Sequence, residues 1–355
     1  MTAEKLTRKG YTWDWERFHK WKHRESSRHP HYGLIGKNTK VFTMGSCFAQ
    51  NVAWFLESKG IPAHSFPETT HYNVVSIYQD LKHLLEGHVY DDEDMLTTDD
   101  GIYANPFRKP TYRAKSLDEL RAWNRAVDDR AKVYLKEADV IIITLGGTEV
   151  WRHPKTRKVY LTIPYPDVFN SRKNEVAEYY NLSFLQNANT LEDIYAMLRR
   201  HVPQAHIIMT LSPNRMTFTV SDKDVVLATC QGKSILRAAV GELTDKYQEN
   251  LSYFHSYELV EYATYPSDLL DDQQRHVNSF AVSVVMNEFM KSYAQKEVFD
   301  KTEYEMIRTM LKERALDLHI RDISFQKRMK HVLLRVLRFL KLKRLALNLY
   351  KRFNR

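Results

Sequence analysis

The chain has 355 residues, 43% of them hydrophobic and 27% charged, which suffices for one large core or two modest ones and excludes disordered, collagen-like and low-complexity classes. Its formal charge of +9 is unevenly spread: residues 327–355 hold 11 Lys/Arg and no Asp/Glu, residues 1–40 hold 10 basic and 4 acidic, and residues 41–326 keep 32 basic against 40 acidic, a net of −8. A mildly acidic body with two basic ends does not argue for nucleic acid, and none is expected as a partner.

In chain order, the clearest strands are KVFTMG (40–45), DVIIITLG (139–146) and AHIIMTLS (205–212), with YFHSYEL (253–259) a weaker fourth. Amphipathic helical stretches fall at 47–59 (stopped by Gly60), 75–86 (stopped by Gly87), 116–137 (opened by Ser116), 190–201 (opened by Thr190), 222–249 and 278–294. Strand and helix alternate, and the apolar runs at 139–146 and 205–212 suit strands covered on both faces. The pattern predicts a three-layer α/β/α sandwich on a mostly parallel sheet. Residues 150–189 read as a hairpin or an excursion over the carboxyl edge of the sheet, where α/β proteins usually bind ligands.

The expected organisation is a basic aromatic N-terminal segment (1–40), a main α/β domain (41–295), a helical connector (296–326) and a basic amphipathic tail (327–355). At about 100° per residue, Val332, Val336, Phe339, Leu340, Leu347 and Tyr350 fall on one side of that tail. Arg338, Lys341, Arg344, Lys351 and Arg352 gather on the other, which suits the surface of an anionic membrane; protein docking and nucleic acid are the rival readings. Only Cys47 and Cys230 are present, too few for a disulfide framework or a thiolate zinc site, and no metal is expected. There is no secretory signal and no run of roughly 18 apolar residues. A cytoplasmic protein, peripheral at the inner face of the membrane, is the expectation.

The sharpest local feature is VFTMGSCFAQNVAWFLESKG, a strand that ends in Gly45-Ser46-Cys47 and runs straight into an apolar helix. Gly45 permits a tight turn, and Ser46 would meet the positive end of the helix dipole, a chemically sensible place for a nucleophile. Its plain alternative is a helix N-cap. Cys47, one residue into the helix, is a weaker nucleophile candidate and is expected to turn toward the core. Lys233 and Arg237, four apart in GKSILRA, share a helix face that would either hold an anionic group or be solvated.

Together with further segments this turn resembles the GSCFA family, itself similar to the SGNH (GDSL-like) serine esterases and acyltransferases. The resemblance rests on GSCFA at 45–49, HYN at 71–73, TLGGTEVW at 144–151, SPNRMTFT at 212–219, GKSILRA at 232–238, YFHSYE at 253–258 and RHVNSFAVSVVMNEF at 275–289. It implies an SGNH/flavodoxin-like form of the sandwich, a catalytic role for residues 41–295, Ser46 as nucleophile and His276 as general base. An SGNH-type Asp would stand three residues before the His, where this chain has Gln273, so Asp272 is the preferred third member, with Asp271 and Asp268 in reserve. Implied oxyanion donors are the Ser46 N–H, Asn73 and the Gly146-Gly147-Thr148 turn; Glu149 and Trp151 would suit sugar hydroxyls and ring faces. The implied function is a serine-dependent esterase or O-acyl(acetyl)transferase acting on a glycan or glycolipid ester in bacterial surface polysaccharide biosynthesis. No tightly bound cofactor is expected, and acetyl-CoA is the candidate acyl donor. The alternative is a non-catalytic glycan-binding or scaffold protein that keeps the fold.

Overall fold

The structure, a computed structural model, describes residues 32–66, 69–87, 90–97, 101–108, 112–161, 177–262, 269–311 and 313. The chain divides into two compact units, Arg28–Asp300 and Met1–Ser27 with Lys301–Arg355. In the second, residues 301–311 are helical. The aromatic N-terminal stretch to residue 31 and the basic tail 327–355 lie outside the described residues.

The first unit is built on five parallel strands: β1 (Val41–Gly45), β2 (Ala63–Ser65), β5 (Val140–Leu145), β8 (His206–Leu211) and β9 (Leu251–Phe254), in the spatial order β2-β1-β5-β8-β9. Two small antiparallel pairs stand apart from it, β3 (Leu96–Thr97) with β4 (Tyr103–Ala104), and β6 (Glu149–Arg152) with β7 (Glu178–Asn181). The helices are α1 (Phe48–Ser58), α2 (Val74–Glu86), α3 (Leu117–Lys136), α4 (Phe184–His201), α5 (Val225–Lys246), α6 (Ser256–Glu261) and α7 (Ser279–Tyr293).

Alternation along the strands assigns the layers. Phe42 and Met44, Ile141, Ile143 and Leu145, and Ile207, Met209 and Leu211 join one buried cluster with the apolar faces of α2, α3, α4 and α5. The residues between them turn to the opposite face: Thr43 Oγ1 donates to Ala49 O at the start of α1, and Thr210 Oγ1 is 2.7 Å from Ser256 Oγ of α6. Fully burying each such aliphatic side chain is worth about 1.5–3 kcal/mol. The sheet is therefore sandwiched between helices, the three-layer α/β/α architecture with a mostly parallel sheet that the alternation predicts. The chain moves from β1 outward to β2 and then crosses back to β5, so the order reverses between β1 and β5. The crevice outside their carboxyl ends is the switch point at which such sheets take ligands.

Local chemistry explains the differences from the sequence expectation. Helix α4 opens at Phe184, because Ser183 and Gln186 form a reciprocal capping box; Thr190 lies inside the helix and bonds to Gln186 O. The weak strand at 253–259 is β9 to Phe254 and then α6. Strand β2, three residues long, has too little pattern to be read. The hairpin reading of 150–189 is realised in β6 and β7, which pair Trp151 with Tyr179.

Candidate active site

The site begins with the turn after β1. Gly45 has φ +121°, and a Cβ there would lie 2.1 Å from Thr144 O, so only glycine fits between the two central strands. Ser46, 4% exposed, is held against β5: its N–H donates to Thr144 O (2.9 Å), and its Oγ is 2.9 Å from Thr144 Oγ1. Phe48 N reaches Ser46 Oγ only at 3.4 Å, and the residue at the cap of α1 is Cys47, without a side-chain capping bond. Capping is thus a minor use of this hydroxyl. The Ser46 N–H, bound to Thr144 O, would have to leave that bond to serve as an oxyanion donor. Cys47 does not turn into the core as expected; it is half-buried, faces the cavity and accepts from Asn214 Nδ2 (3.1 Å).

His276 is carried on a tight hairpin before α7. Leu270 bridges Val277, Asp271 N–H donates to His276 O (2.7 Å), Asn278 N–H donates to Leu269 O (3.0 Å), and Gln274 takes a positive φ of 55° to close the turn. This register sets the carboxylate beside the imidazole: Asp271 Oδ2 lies 3.4 Å from His276 Nδ1. The Arg275 N–H donates to Asp271 Oδ1 (2.9 Å), and that bond, outweighing what burial adds, lowers the Asp271 carboxyl with help from the His276 backbone and charge. Asp272 is exposed, and the carboxylate beside His276 is that of Asp271, so the reserve candidate is the one paired with the imidazole. Asp268 lies outside the described residues.

Asn214 ties the two halves together. Its Oδ1 accepts the Val277 N–H (2.9 Å) while its Nδ2 donates to Cys47 Sγ, linking the His276 hairpin to the Ser46 turn. No hydrogen bond joins Ser46 Oγ to His276; the serine hydroxyl rests on Thr144 instead.

Asn73 caps α2 through Oδ1, which accepts Ser76 N–H (2.9 Å), and so leaves Nδ2 toward the cavity, where it meets Glu149 O at a loose 3.3 Å. The preceding residues are fixed from below. His71, fully buried, donates its N–H to Gly45 O (2.8 Å) and its Nε2 to Asp80 Oδ2 (2.6 Å). Asp80 also accepts from Tyr90 (2.5 Å) and from Arg108 (2.8 Å), which bridges onward to Asp128 (2.7 Å). Burial pushes the Asp80 carboxyl up, but Arg108 and His71 outweigh it and hold the group well below the usual carboxylate range. Across the crevice, Gly147 N–H donates to Tyr72 O (2.6 Å), and a Cβ on Gly146 would lie 2.9 Å from the same oxygen. Gly146 is needed for this close approach, whereas a Cβ on Gly147 would meet the same oxygen at an ordinary 3.8 Å; the Gly147 N–H is engaged. Thr148 is buried and takes the Leu182 N–H on its carbonyl. Glu149 lines the cavity and accepts from Thr219 Oγ1; Trp151 lines it beside Tyr179, ring centroids 5.3 Å apart.

Lys233 and Arg237 do not reach the cavity, and Lys233 is not on a solvated face. Lys233 is 3% exposed and donates to Gly146 O and Ser212 O, both at 2.7 Å, stapling the ends of β5 and β8; burial pushes its ammonium down to about 7. Arg237 pairs with Glu258 (2.7 Å) over the Tyr253 ring. The residues that sequence reasoning passed over are Thr144, Asp80, Arg108 and Asn214. Asp80 carried a signal, since it interrupts the apolar stripe of α2 between Ile77 and Leu84.

A cavity of about 410 Å³ opens between these groups, lined by Ser46, Asn73, Gly146, Glu149, Trp151 and His276 among others. That volume lies in the range of small-ligand pockets. Among the described residues no group of three or more His, Cys, Asp or Glu is placed to hold a metal, and no helix is long and apolar enough to cross a membrane. Fold and site together define a three-layer α/β/α protein with a serine-lined and histidine-lined pocket at the switch point of a parallel sheet. The chain belongs to the GSCFA family, whose model matches residues 40–289. Among solved structures it is similar to an acetyl xylan esterase (Est2A) from the rumen bacterium Butyrivibrio proteoclasticus, at 14% identity and a TM-score of 0.30, over 64% of this chain and 56% of that one. The chain thus spans little more than half of that enzyme's length. No curated protein matches the sequence.

Proposed function

We propose that this chain is a serine-dependent esterase or O-acyltransferase of the SGNH type, acting on an acylated glycan or glycolipid. The observation that carries the reading is that Ser46 and His276 line one cavity while the Asp271 carboxylate sits on His276 Nδ1. With Nδ1 facing the carboxylate, Nε2 is the atom left to take a proton, and a serine hydroxyl needs such a base to be a useful nucleophile. In the reaction, Ser46 Oγ rotates from Thr144 toward the imidazole and attacks the ester carbonyl as His276 Nε2 takes its proton. The Asn73 Nδ2 donor, loosely held in the resting state, is the side-chain group that supports the developing oxyanion. His276 then returns the proton to the leaving alcohol or thiol, and the acyl group stays on Ser46. Water or a sugar hydroxyl, deprotonated by the same imidazole, releases it. Acetyl-CoA is the proposed donor when transfer is the outcome. The basic tail 327–355 is proposed to bring the protein to anionic lipid, which suits a lipid-linked substrate.

A second reading, a glycan-binding or scaffold protein without turnover, is favoured by one observation: the Ser46 hydroxyl bonds to Thr144 and not to His276. Release of p-nitrophenol from its acetate ester separates the two. The enzyme reading expects activity in wild type that is abolished in Ser46→Ala and in His276→Ala; equal rates in all three establish the second reading.

A further inference from the structure

The basic groups first expected to hold an anion are occupied elsewhere, Lys233 by two carbonyls and Arg237 by Glu258. The two guanidinium groups that do line the cavity are Arg215 and Arg275. Arg215 is engaged, by Glu261 (3.3 Å) and Gln274 O (3.3 Å). Arg275 is different. Among the described residues its side chain makes no hydrogen bond and no ion pair, and its Nε is sealed from solvent without a partner. The adjacent carboxylate, Asp271, binds the Arg275 backbone N–H rather than its guanidinium, and is turned to His276. That Nε is closed to a ligand as it is to water, so a ligand would meet the terminal nitrogens of this always-charged group, which are not sealed. A guanidinium that lines the cavity and has no acceptor among the described residues is placed to take one from a ligand.

We propose that Arg275 recognises a carboxylate on the substrate, so that the sugar bearing the ester, or accepting the acyl group, is an acidic, uronate-type residue. This deepens the serine-enzyme reading and rests on it for the word substrate. Three observations fix the chemistry. The planar fork of the guanidinium matches a carboxylate or phosphate bidentately. Arg275 directly precedes His276, so a bound anion is held next to the reacting centre. The cavity lining also includes Glu149, whose side chain is met by Thr219 rather than by a cation, so one carboxylate is already present among the lining groups. A monoanionic carboxylate is accommodated there more readily than a phosphate dianion. Trp151, on the same wall, offers an aromatic face to the sugar ring.

The test is an equilibrium titration of the full-length Ser46→Ala protein with D-glucuronate, D-glucose and inorganic phosphate, followed by tryptophan fluorescence and calorimetry. Because it reads binding without turnover, its outcome is independent of whether Ser46 is a nucleophile. Glucuronate is expected to bind at least about tenfold more tightly than glucose, in line with one charge-assisted pair. That advantage should vanish when Arg275→Gln is added and survive in part with Arg275→Lys. Should the Gln variant fold poorly, raising ionic strength on the Arg275-containing protein must weaken glucuronate several-fold and leave glucose unchanged. Equal binding of glucose and glucuronate, an Arg275→Gln protein that keeps the preference, or phosphate binding more tightly than glucuronate overturns the proposal.

Discussion

Replacing Gly45 by alanine is the perturbation that the geometry resolves most sharply. A Cβ at this position would lie 2.1 Å from Thr144 O, whereas a carbon and a carbonyl oxygen do not ordinarily approach closer than about 3.3 Å. The two strands would have to part by about 1 Å at the Gly45–Thr144 pair, the last rung of the β1–β5 ladder. Forcing a non-glycine residue to φ +121° costs on the order of 1–3 kcal/mol by itself. Parting the strands also loses the Ser46 N–H bond to Thr144 O, worth about 0.5–1.5 kcal/mol net. Gly45→Ala should therefore destabilise the protein by about 1.5–4.5 kcal/mol, against the roughly 5–15 kcal/mol that holds a typical domain. Urea unfolding followed by circular dichroism reads this as a lowered midpoint, and p-nitrophenyl acetate hydrolysis by the residual folded protein reads the displaced serine. A loss below about 1 kcal/mol with hydrolysis intact would refute the claim that Gly45 sets the position of Ser46.

Four further outcomes follow from the same geometry. Asp80→Ala leaves Arg108 and His71 buried without their shared acceptor and should cost about 3–5 kcal/mol in urea unfolding. Because the Asp80 carboxyl is held below its unfolded value, its contribution is present above about pH 4 and is lost as pH falls further, so wild type and Asp80→Asn should converge in stability at acid pH. Lys233 behaves in the opposite range: with a folded value of about 7, the unfolded chain binds its proton more readily. Wild type should gain stability relative to Lys233→Met as pH rises from 7 toward 10, by at most about 1.4 kcal/mol per unit, and a flat difference would contradict the burial argument. Finally, Asp271→Asn should lower kcat/KM for ester hydrolysis by about 10–100-fold while Asp272→Asn stays within about twofold, and the reverse ranking would reassign the partner of His276.

The parallel sheet was legible because its central strands are apolar on both faces, as in VIIITL, and because strand and helix alternate. The turn at Gly45-Ser46 was legible for a similar reason, an apolar strand running without a linker into an apolar helix. What could not be read is what depends on register across long sequence distance. Lys233 and Arg237 sit on one helix face in the sequence, yet α5 packs so that the first is buried under the ends of β5 and β8 and the second reaches Glu258. Asp271 and Asp272 are adjacent and chemically alike; only the hairpin bond from Asp271 N to His276 O decides which one meets the imidazole. Asn214 stands in a segment whose resemblance was visible, but its two-sided bond between Cys47 and Val277 spans three separate parts of the chain. Thr144 likewise reads as one more β-branched strand residue until its hydroxyl is set against Ser46.

The central claim is that Ser46 carries the acyl group, and the direct measurement is intact-mass and peptide-level mass spectrometry of full-length protein quenched after brief exposure to p-nitrophenyl acetate, with acetyl-CoA in a parallel sample. The account predicts one added acetyl group on the peptide bearing Ser46, localised to the serine and absent in Ser46→Ala, with its turnover slowed in His276→Ala. Protein that releases p-nitrophenol without forming this adduct, or that carries the acetyl group on Cys47 instead, would contradict it.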